Sequence, residues 1–169
     1  MPSGASASDL LAARDARQAL LDRQLSVTGP AAPALVVALS LAIPGAEKVP
    51  PGAAALLAWA RAGALDALAG ARVLCEVEDA LGPFVLLAAS GDAPSVKAAC
   101  VALEAARPAA RLVDLDVYTA PGAALDRAAL GLPPRPCLCC DAPARECIRV
   151  GRHGFPALVA RALELLARG

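Results

Sequence analysis

The sequence predicts an α/β protein, in the loose sense that includes α+β, with a single domain spanning residues 1–169. A mixed sheet of about four or five strands, flanked by helices, is expected. Three observations support this prediction. The chain has 169 residues, 57% of them apolar, which is enough for a substantial core. β-prone runs alternate with stretches of helical periodicity, and proline and glycine mark the turns between them.

The first predicted element is a helix over residues 9–25, with Ser8 as its N-cap. Arg14 and Arg17 interrupt an otherwise apolar row on this helix. They could lie at the edge of the row and extend to water. They could instead point into a cleft and bind an anion through their forked guanidinium groups.

The middle of the chain predicts strands and helices in turn. The near-continuous apolar run at 34–43 is typical of a central strand buried on both faces. Residues 72–79 alternate between the two faces of a strand, and a Leu-Gly-Pro turn then leads into a second strand of a hairpin. The predicted elements from residue 34 onward are strand 34–43, helix 50–69, strand 72–79, strand 84–89, helix 94–107, strand 111–118, a short helix or loop 123–132, and a C-terminal helix 154–168.

Two carboxylates lie one residue apart in the strand 111–118. Side chains alternate faces along a strand, so Asp114 and Asp116 should project from the same face, roughly 6–7 Å apart. Paired carboxylates repel each other unless a cation lies between them, and magnesium prefers a few carboxylate oxygens together with substrate phosphates. This pattern predicts a magnesium site for phosphoryl or nucleotidyl transfer, with Asp114 and Asp116 as catalytic residues. The alternative is a half-exposed edge strand with two solvated acids.

The segment before these acids supports the same chemistry. A strand, a small turn at Ser90 and Gly91, a helix and an Asp-x-Asp strand is the order found in many nucleotidyltransferase sites, which makes a nucleotidyltransferase-like fold a candidate. Backbone amides in a small turn and at a helix start favour phosphate. Ser90 and Gly91 are therefore candidate phosphate-binding residues, although Ser-Gly reverses the usual order. An ordinary connecting turn is the alternative.

Residues 133–153 form a Cys-rich loop. Cys137 and Cys140 have Cys-x-x-Cys spacing, and Cys147 and His153 follow, which together make a tetrahedral ligand set for zinc. Small buried cysteines beside a surface histidine are the alternative.

Composition limits location and partners. Sixteen basic and sixteen acidic residues give zero net charge, so we expect neither nucleic acid nor membrane as a partner. Residues 1–8 are interpreted as a flexible N-terminus without a targeting signal. Six cysteines in such a chain favour reduced thiols or a metal site, so a cytoplasmic location is expected.

Four ordered motifs carry a family resemblance. They are Arg14-Asp15-Ala16-Arg17-Gln18, Ile43-Pro44-Gly45 with Lys48, Arg111-Leu112-Val113-Asp114-Leu115-Asp116-Val117, and Leu132-Pro133-Pro134-Arg135 continuing to Cys137, Cys140, Cys147, Arg149 and His153. In this order and spacing the chain resembles the apo-citrate lyase phosphoribosyl-dephospho-CoA transferases, also called holo-citrate lyase synthases. The likeness covers residues 10–153.

The resemblance implies a reaction. Such an enzyme attaches phosphoribosyl-dephospho-CoA, taken from triphosphoribosyl-dephospho-CoA, to a serine of the citrate lyase acyl carrier protein (γ) subunit and releases diphosphate. Asp114 and Asp116 would then hold magnesium against the triphosphate, and one of them could accept the serine proton. The candidate phosphate-binding residues are Arg14, Arg17, Lys48, Ser90, Gly91 and Arg149.

Other functions remain open from the sequence. The chain could be the analogous transferase for malonate decarboxylase. It could also be a zinc-stabilised binding module without catalysis, in which the Cys-rich loop docks a partner. A redox protein using Cys137 and Cys140 is a weaker possibility, because this pair lacks the helix-start context of thioredoxin-like sites.

Overall fold

The structure is a computed structural model that describes residues 5–30, 32–120 and 122–168. Within these ranges the helices are α1 (Ala7–Leu25), α2 (Ala53–Ala67), α3 (Ala93–Ala105), α4 (Ala144–Val150) and α5 (Phe155–Ala167). The strands are β1 (Leu35–Leu41), β2 (Arg72–Asp79), β3 (Gly82–Ala89), β4 (Val113–Thr119) and β5 (Ala123–Leu125). Short 3₁₀ helices span Pro108–Leu112 and Ala128–Leu130.

The five strands form one sheet in the order β2-β3-β1-β4-β5. The predicted α/β class is confirmed, and β1 is central as expected. All four strand pairings in the described residues are antiparallel, so the sheet is antiparallel where a mixed one was expected. The connections explain this difference. The chain crosses from β1 to β2 and from β3 to β4, and the two strands of each pair run parallel but are not neighbours in the sheet. The intervening position is filled by a strand of opposite direction.

Each face of the sheet packs against helices. Helices α2, α3 and α5 cover one face, where Leu39, Leu115 and Leu165 are fully buried in the larger core. Helix α1 covers the other face, where Leu21 packs near Phe84 in a smaller core. Because burial of apolar area drives this packing, β4 is held mainly through its Val113, Leu115 and Val117 side.

The start of the chain differs from the prediction. Helix α1 begins at Ala7, and its N-cap is Ser6, so the assignment of Ser8 as the cap was wrong. Ser6 and Asp9 form a reciprocal capping box, in which each side chain accepts a hydrogen bond from the other residue's backbone N–H. Residues 1–4 of the predicted flexible N-terminus lie outside the described residues, and Ala7 and Ser8 are helical.

Several other boundaries were predicted closely. Strand β2 covers the predicted residues 72–79, and β3 pairs with it in the expected hairpin. Helix α3 is capped by Asp92, as expected near its start. Strand β5 and helix α4 were not predicted. None of the described helices combines the length and apolar character needed to cross a bilayer.

Candidate active site and cysteine cluster

Asp114 and Asp116 project from the face of β4 that looks toward α1. In the antiparallel register they lie opposite Ser40 and Ala38 of β1. Their side chains are 39% and 50% exposed, whereas Leu115 between them is fully buried on the other face. The strand therefore presents two half-exposed carboxylates on a rigid support.

The two carboxylates have unequal partners. Asp114 Oδ1 accepts a hydrogen bond of 2.8 Å from Arg135. Asp116 Oδ1 lies 3.7 Å from Lys97 Nζ, a looser ion pair. Burial and then repulsion from Asp114 raise the pKa of Asp116, and Lys97 opposes the shift. Asp116 is thus the carboxylate whose negative charge is less fully compensated.

Charged side chains also close the open edge of β4. Strand β5 pairs with Val117, Tyr118 and Thr119, and no strand among the described residues lies beside Leu115 at this edge. Lys97 Nζ donates to the Leu115 carbonyl at 2.8 Å, and the Leu115 N–H donates to Glu104 Oε1 at 2.9 Å. Both side chains are buried. They replace the hydrogen bonds that a further strand would make.

A shallow groove of about 160 Å³ joins Asp116 to the N-terminal arginines; Tyr118, Ser40, Arg14 and Arg17 also line it. Arg17 makes two hydrogen bonds to Asp79, at 2.8 and 2.7 Å, and its guanidinium group lies 4.7 Å from the centre of the Phe84 ring. Within the described ranges Arg14 makes no ion pair and is exposed. Arg14 is therefore available to an anion, whereas Arg17 anchors α1 to the β2–β3 turn.

Lys48 and Arg149 do not line this groove. Lys48 is half-buried, and its Nζ donates to the Ile43 carbonyl at 3.0 Å. Arg149 is exposed on α4, in the Cys-rich segment.

Ser90 and Gly91 lie at the other end of the sheet. Ala89, just before them, is level with Leu35, five residues along β1 from the residue opposite Asp114. That separation is roughly 17 Å along the strand, and the corresponding separation for Asp116, which lies opposite Ala38, is roughly 10 Å. Ser90 borders a separate depression together with Gly70, and its N–H donates to the Ala69 carbonyl. The structure does not bring this turn together with the carboxylates.

The structure brings together the four predicted zinc ligands. One ligand atom from each of Cys137, Cys140, Cys147 and His153 lies within 4.8 Å of the others. Cys140 Sγ is 3.5 Å from Cys147 Sγ and 3.3 Å from His153 Nε2. Tetrahedral zinc bound at about 2.3 Å places its sulfur ligands about 3.8 Å apart, so this donor set could hold a metal ion.

The surroundings tune these thiols differently. The hydrogen bond with His153 lowers the pKa of Cys140 to about 6, which favours the thiolate that metal binding requires. Burial raises the pKa of Cys147 to about 11. Cys139 stays outside the cluster, with its Sγ 4.0 Å from the Ala157 carbonyl, and is the spare thiol.

The cluster is joined directly to the carboxylate strand. Arg135, two residues before Cys137, donates to Asp114 and also to the Arg111 and Val113 carbonyls. Arg111 in turn donates to the Cys137 carbonyl. Near its start, the Cys-rich segment therefore contains a residue, Arg135, that orients one of the two acids.

Comparison with known proteins agrees with the four motifs. A sequence profile described as apo-citrate lyase phosphoribosyl-dephospho-CoA transferase matches residues 5–168. The chain belongs to this family.

Curated relatives with that name align over a shorter stretch. They include proteins of Escherichia coli O139:H28 (strain E24377A / ETEC), 39% identical, and Citrobacter koseri (strain ATCC BAA-895 / CDC 4225-83 / SGSC4696), 40% identical. A protein of Shigella boydii serotype 18 is 39% identical. Each alignment covers 87 residues, 52% of this chain and 48% of the relative. The chain thus aligns with about half the length of these transferases.

Sequence reasoning on this family member missed Lys97 and Glu104. Both lie on α3, which packs against β4, and they are seven positions apart. They therefore share one helix face that also contains the buried Val96 and Cys100. Two charged residues two turns apart on an otherwise apolar face were the available signal, since buried charges need specific partners.

Proposed function

We propose that the chain is the transferase that attaches phosphoribosyl-dephospho-CoA to a serine of the citrate lyase acyl carrier protein subunit. Its precursor substrate would be triphosphoribosyl-dephospho-CoA, and diphosphate would leave. One observation carries the proposal: Asp114 and Asp116 lie side by side and half exposed on β4, and Asp116 shares a groove with Arg14. Membership of the family supplies the class of substrate.

The proposed reaction makes one bond and breaks one. The serine oxygen bonds to the innermost phosphorus, and the bond from that phosphorus to the diphosphate oxygen breaks. The serine proton moves to Asp116, since burial and the neighbouring Asp114 raise the pKa of this carboxyl group. Asp114 is held in place by Arg135, so the pair keeps its orientation while the substrate binds.

The donor set is suited to magnesium. Two half-exposed carboxylates share a strand face, and Asp116 is only loosely paired with Lys97, at 3.7 Å. Asp114 and Asp116 would hold the ion, with phosphate oxygens and water completing its shell. When bound, it would neutralise charge on the phosphate oxygens during transfer. Arg14 and Arg17 line the same groove, and Arg14 offers its free guanidinium group to a phosphate.

The remaining predicted phosphate ligands have no part in this proposal. Lys48, Ser90, Gly91 and Arg149 all lie outside the groove. A separate, mostly apolar cavity of about 500 Å³ lies between the Pro44 turn, the Cys-rich segment and α5. Its lining suits the part of the substrate that carries no phosphate.

The cysteine cluster supports a second proposal, a structural zinc ion. Four ligands leave no open coordination position, as in structural rather than catalytic zinc sites. Cys137 and Cys147 are the only buried residues of the segment 133–153. With so little apolar burial, metal binding would supply much of the segment's folding free energy. Thiolate ligands suit a reducing compartment, so a cytoplasmic location remains part of the proposal.

Transfer can be tested directly. The purified chain is incubated with the apo carrier protein subunit, triphosphoribosyl-dephospho-CoA and magnesium, and the carrier is measured by intact mass spectrometry. We expect its mass to increase by one prosthetic group, and a carrier whose acceptor serine is replaced by alanine should stay unchanged. A carrier mass that never changes would contradict the transferase and leave the zinc-stabilised binding module as the better explanation.

A further inference from the structure

A second groove lies beside Arg135 and Glu104, and Asp114 is not among the residues that line it. It has a volume of about 470 Å³ and runs from the end of α3 to Pro136. Its lining contains one carboxylate, Glu104, and four arginines: Arg107, Arg111, Arg127 and Arg135. This excess of positive charge is local, since the whole chain is neutral.

Acids pair with two of the four guanidinium groups, and a backbone carbonyl and an aromatic ring hold the other two. Arg127 donates to the Pro133 carbonyl at 3.2 Å and pairs with Glu104 at 3.3 Å. Arg111 donates to the Cys137 carbonyl, and Arg135 donates to Asp114 and to the Arg111 and Val113 carbonyls. Arg127 and Arg135 are thus each paired with one carboxylate, whereas Arg107 and Arg111 form no ion pair within the described residues.

Arg107 is held by an aromatic ring. Its guanidinium carbon lies 4.0 Å from the centre of the Trp59 ring. Its Nε is buried and has no hydrogen-bond partner among the described residues. Because a guanidinium group has five N–H donors, Arg107 keeps hydrogen-bonding capacity for a ligand.

We propose that this arginine groove binds a polyphosphate, specifically the two outer phosphates of the triphosphate substrate, which leave as diphosphate. Several half-buried forked cations select a ligand with several negative charges, and phosphate oxygens match their geometry. Arg135 lines the groove and also contacts Asp114, so a chain of phosphates in the groove would end beside the carboxylates. The inference rests on the proposed function for the identity of the substrate, but the groove itself is tested separately.

Binding is measured by calorimetric titration of the full chain with diphosphate and with tripolyphosphate at constant ionic strength. We expect Arg107→Gln and Arg127→Gln each to weaken binding of both anions by roughly tenfold or more, since each removes a charge-assisted contact. Arg145→Gln on α4 is the matched control, because it removes the same charge from an exposed position outside the groove. It should change the affinity less than twofold. If the unmodified chain binds neither anion, or if Arg145→Gln weakens binding as much as the groove variants do, the groove is not a polyphosphate site.

A second measurement covers the case in which Arg127→Gln fails to fold after losing its Glu104 pair. The unmodified chain is treated with phenylglyoxal, which labels accessible arginines, with and without tripolyphosphate. We expect the anion to protect Arg107 and Arg127 but not Arg145 or Arg149. Equal labelling of all four in both conditions would count against the groove.

Different results would contradict the proposed polyphosphate site and the proposed transferase activity. Groove-dependent tripolyphosphate binding without carrier modification would support the groove and contradict the proposed function. Arg107→Gln and Arg127→Gln could instead modify the carrier normally, with an unchanged KM for the precursor and unchanged inhibition by diphosphate. That result would contradict the polyphosphate site and leave the proposed function standing.

Discussion

Strand β4 and the Cys-rich segment 133–153 lie side by side, yet they are held in place by different means. Val113, Leu115 and Val117 bury one side of β4 in the main core, and β1 pairs along its whole length. The Cys-rich segment buries only Cys137 and Cys147, and it brings together the side chains of Cys137, Cys140, Cys147 and His153. The strand should therefore hold its shape without a metal, whereas the segment should depend on one.

The two regions still meet at two arginines. Arg135 belongs to the segment but contacts Asp114, and Arg111 precedes the strand but donates to the Cys137 carbonyl. If the segment loses its order, Arg135 leaves Asp114 while the strand remains folded. The strand therefore supplies the two acids of the proposed reaction, and the Cys-rich segment supplies Arg135, which orients one of them.

Replacement of the strand's carboxylates should have the largest effect. We expect Asp114→Asn and Asp116→Asn each to lower kcat/KM for carrier modification on the order of a thousandfold, which is about 4 kcal/mol of transition-state stabilisation. Folding should survive, because both side chains are half exposed and their ion pairs contribute little there. The rate of mass increase of the carrier measures the change.

Asp66→Asn is the matched control, since Asp66 is exposed on α2, on the other face of the sheet. It should keep the normal rate. Near-normal turnover in Asp114→Asn would contradict the metal-binding role proposed for Asp114 and Asp116.

Loss of the metal should affect the segment and spare the strand. We expect about one zinc per chain after purification without chelator, and much less in Cys147→Ser, because the remaining three ligands bind zinc far more weakly. Limited proteolysis should then cut within 133–153 while the far-ultraviolet circular dichroism of the sheet persists. Elemental analysis gives the metal content.

Cys139→Ser serves as the control for this substitution, because Cys139 lies outside the cluster. Its zinc content should equal that of the unmodified chain. If a chelator unfolds the sheet together with the segment in one transition, the two regions are not held in place independently.

The sequence predicted the features that depend on local periodicity. Alternation over 72–79 gave the bounds of β2, and the same two-residue period placed Asp114 and Asp116 on one face. The spacing of Cys137, Cys140, Cys147 and His153 suggested a cluster that the structure then brought together. These predictions worked because each needed only residues within one short stretch of the sequence.

Features that depend on topology were missed. Strand β5 has three residues and helix α4 has seven, too few for a clear period. The pairing of Lys97 and Glu104 with Leu115 exists only because α3 packs along the open edge of β4. The arginine groove likewise combines side chains from four separate stretches of sequence. No local pattern contains such long-range contacts.

The smallest predicted effect concerns Glu104 and tests how β4 is held at its edge. Glu104→Ala leaves the Leu115 N–H without a partner, so we expect it to lower the free energy of unfolding by about 1–3 kcal/mol. Glu104→Gln keeps an acceptor oxygen for the Leu115 N–H and loses only the charge of its pair with Arg127, so it should lower the free energy of unfolding less than Glu104→Ala does. Urea denaturation of the three chains, with the metal site filled, measures the difference.

The pH dependence separates this hydrogen bond from the charge of Glu104. Burial raises the pKa of Glu104 above its ordinary value of 4.5. Between that value and the raised one, the folded chain binds more protons at this residue than the unfolded chain does. The contribution of Glu104 to the free energy of unfolding should therefore fall as pH rises through this window. Glu104→Gln should abolish that slope while keeping most of the stability. An unchanged slope would assign the pH dependence to other groups, and equal losses in the alanine and glutamine variants would show that the hydrogen bond to Leu115 does not hold the strand.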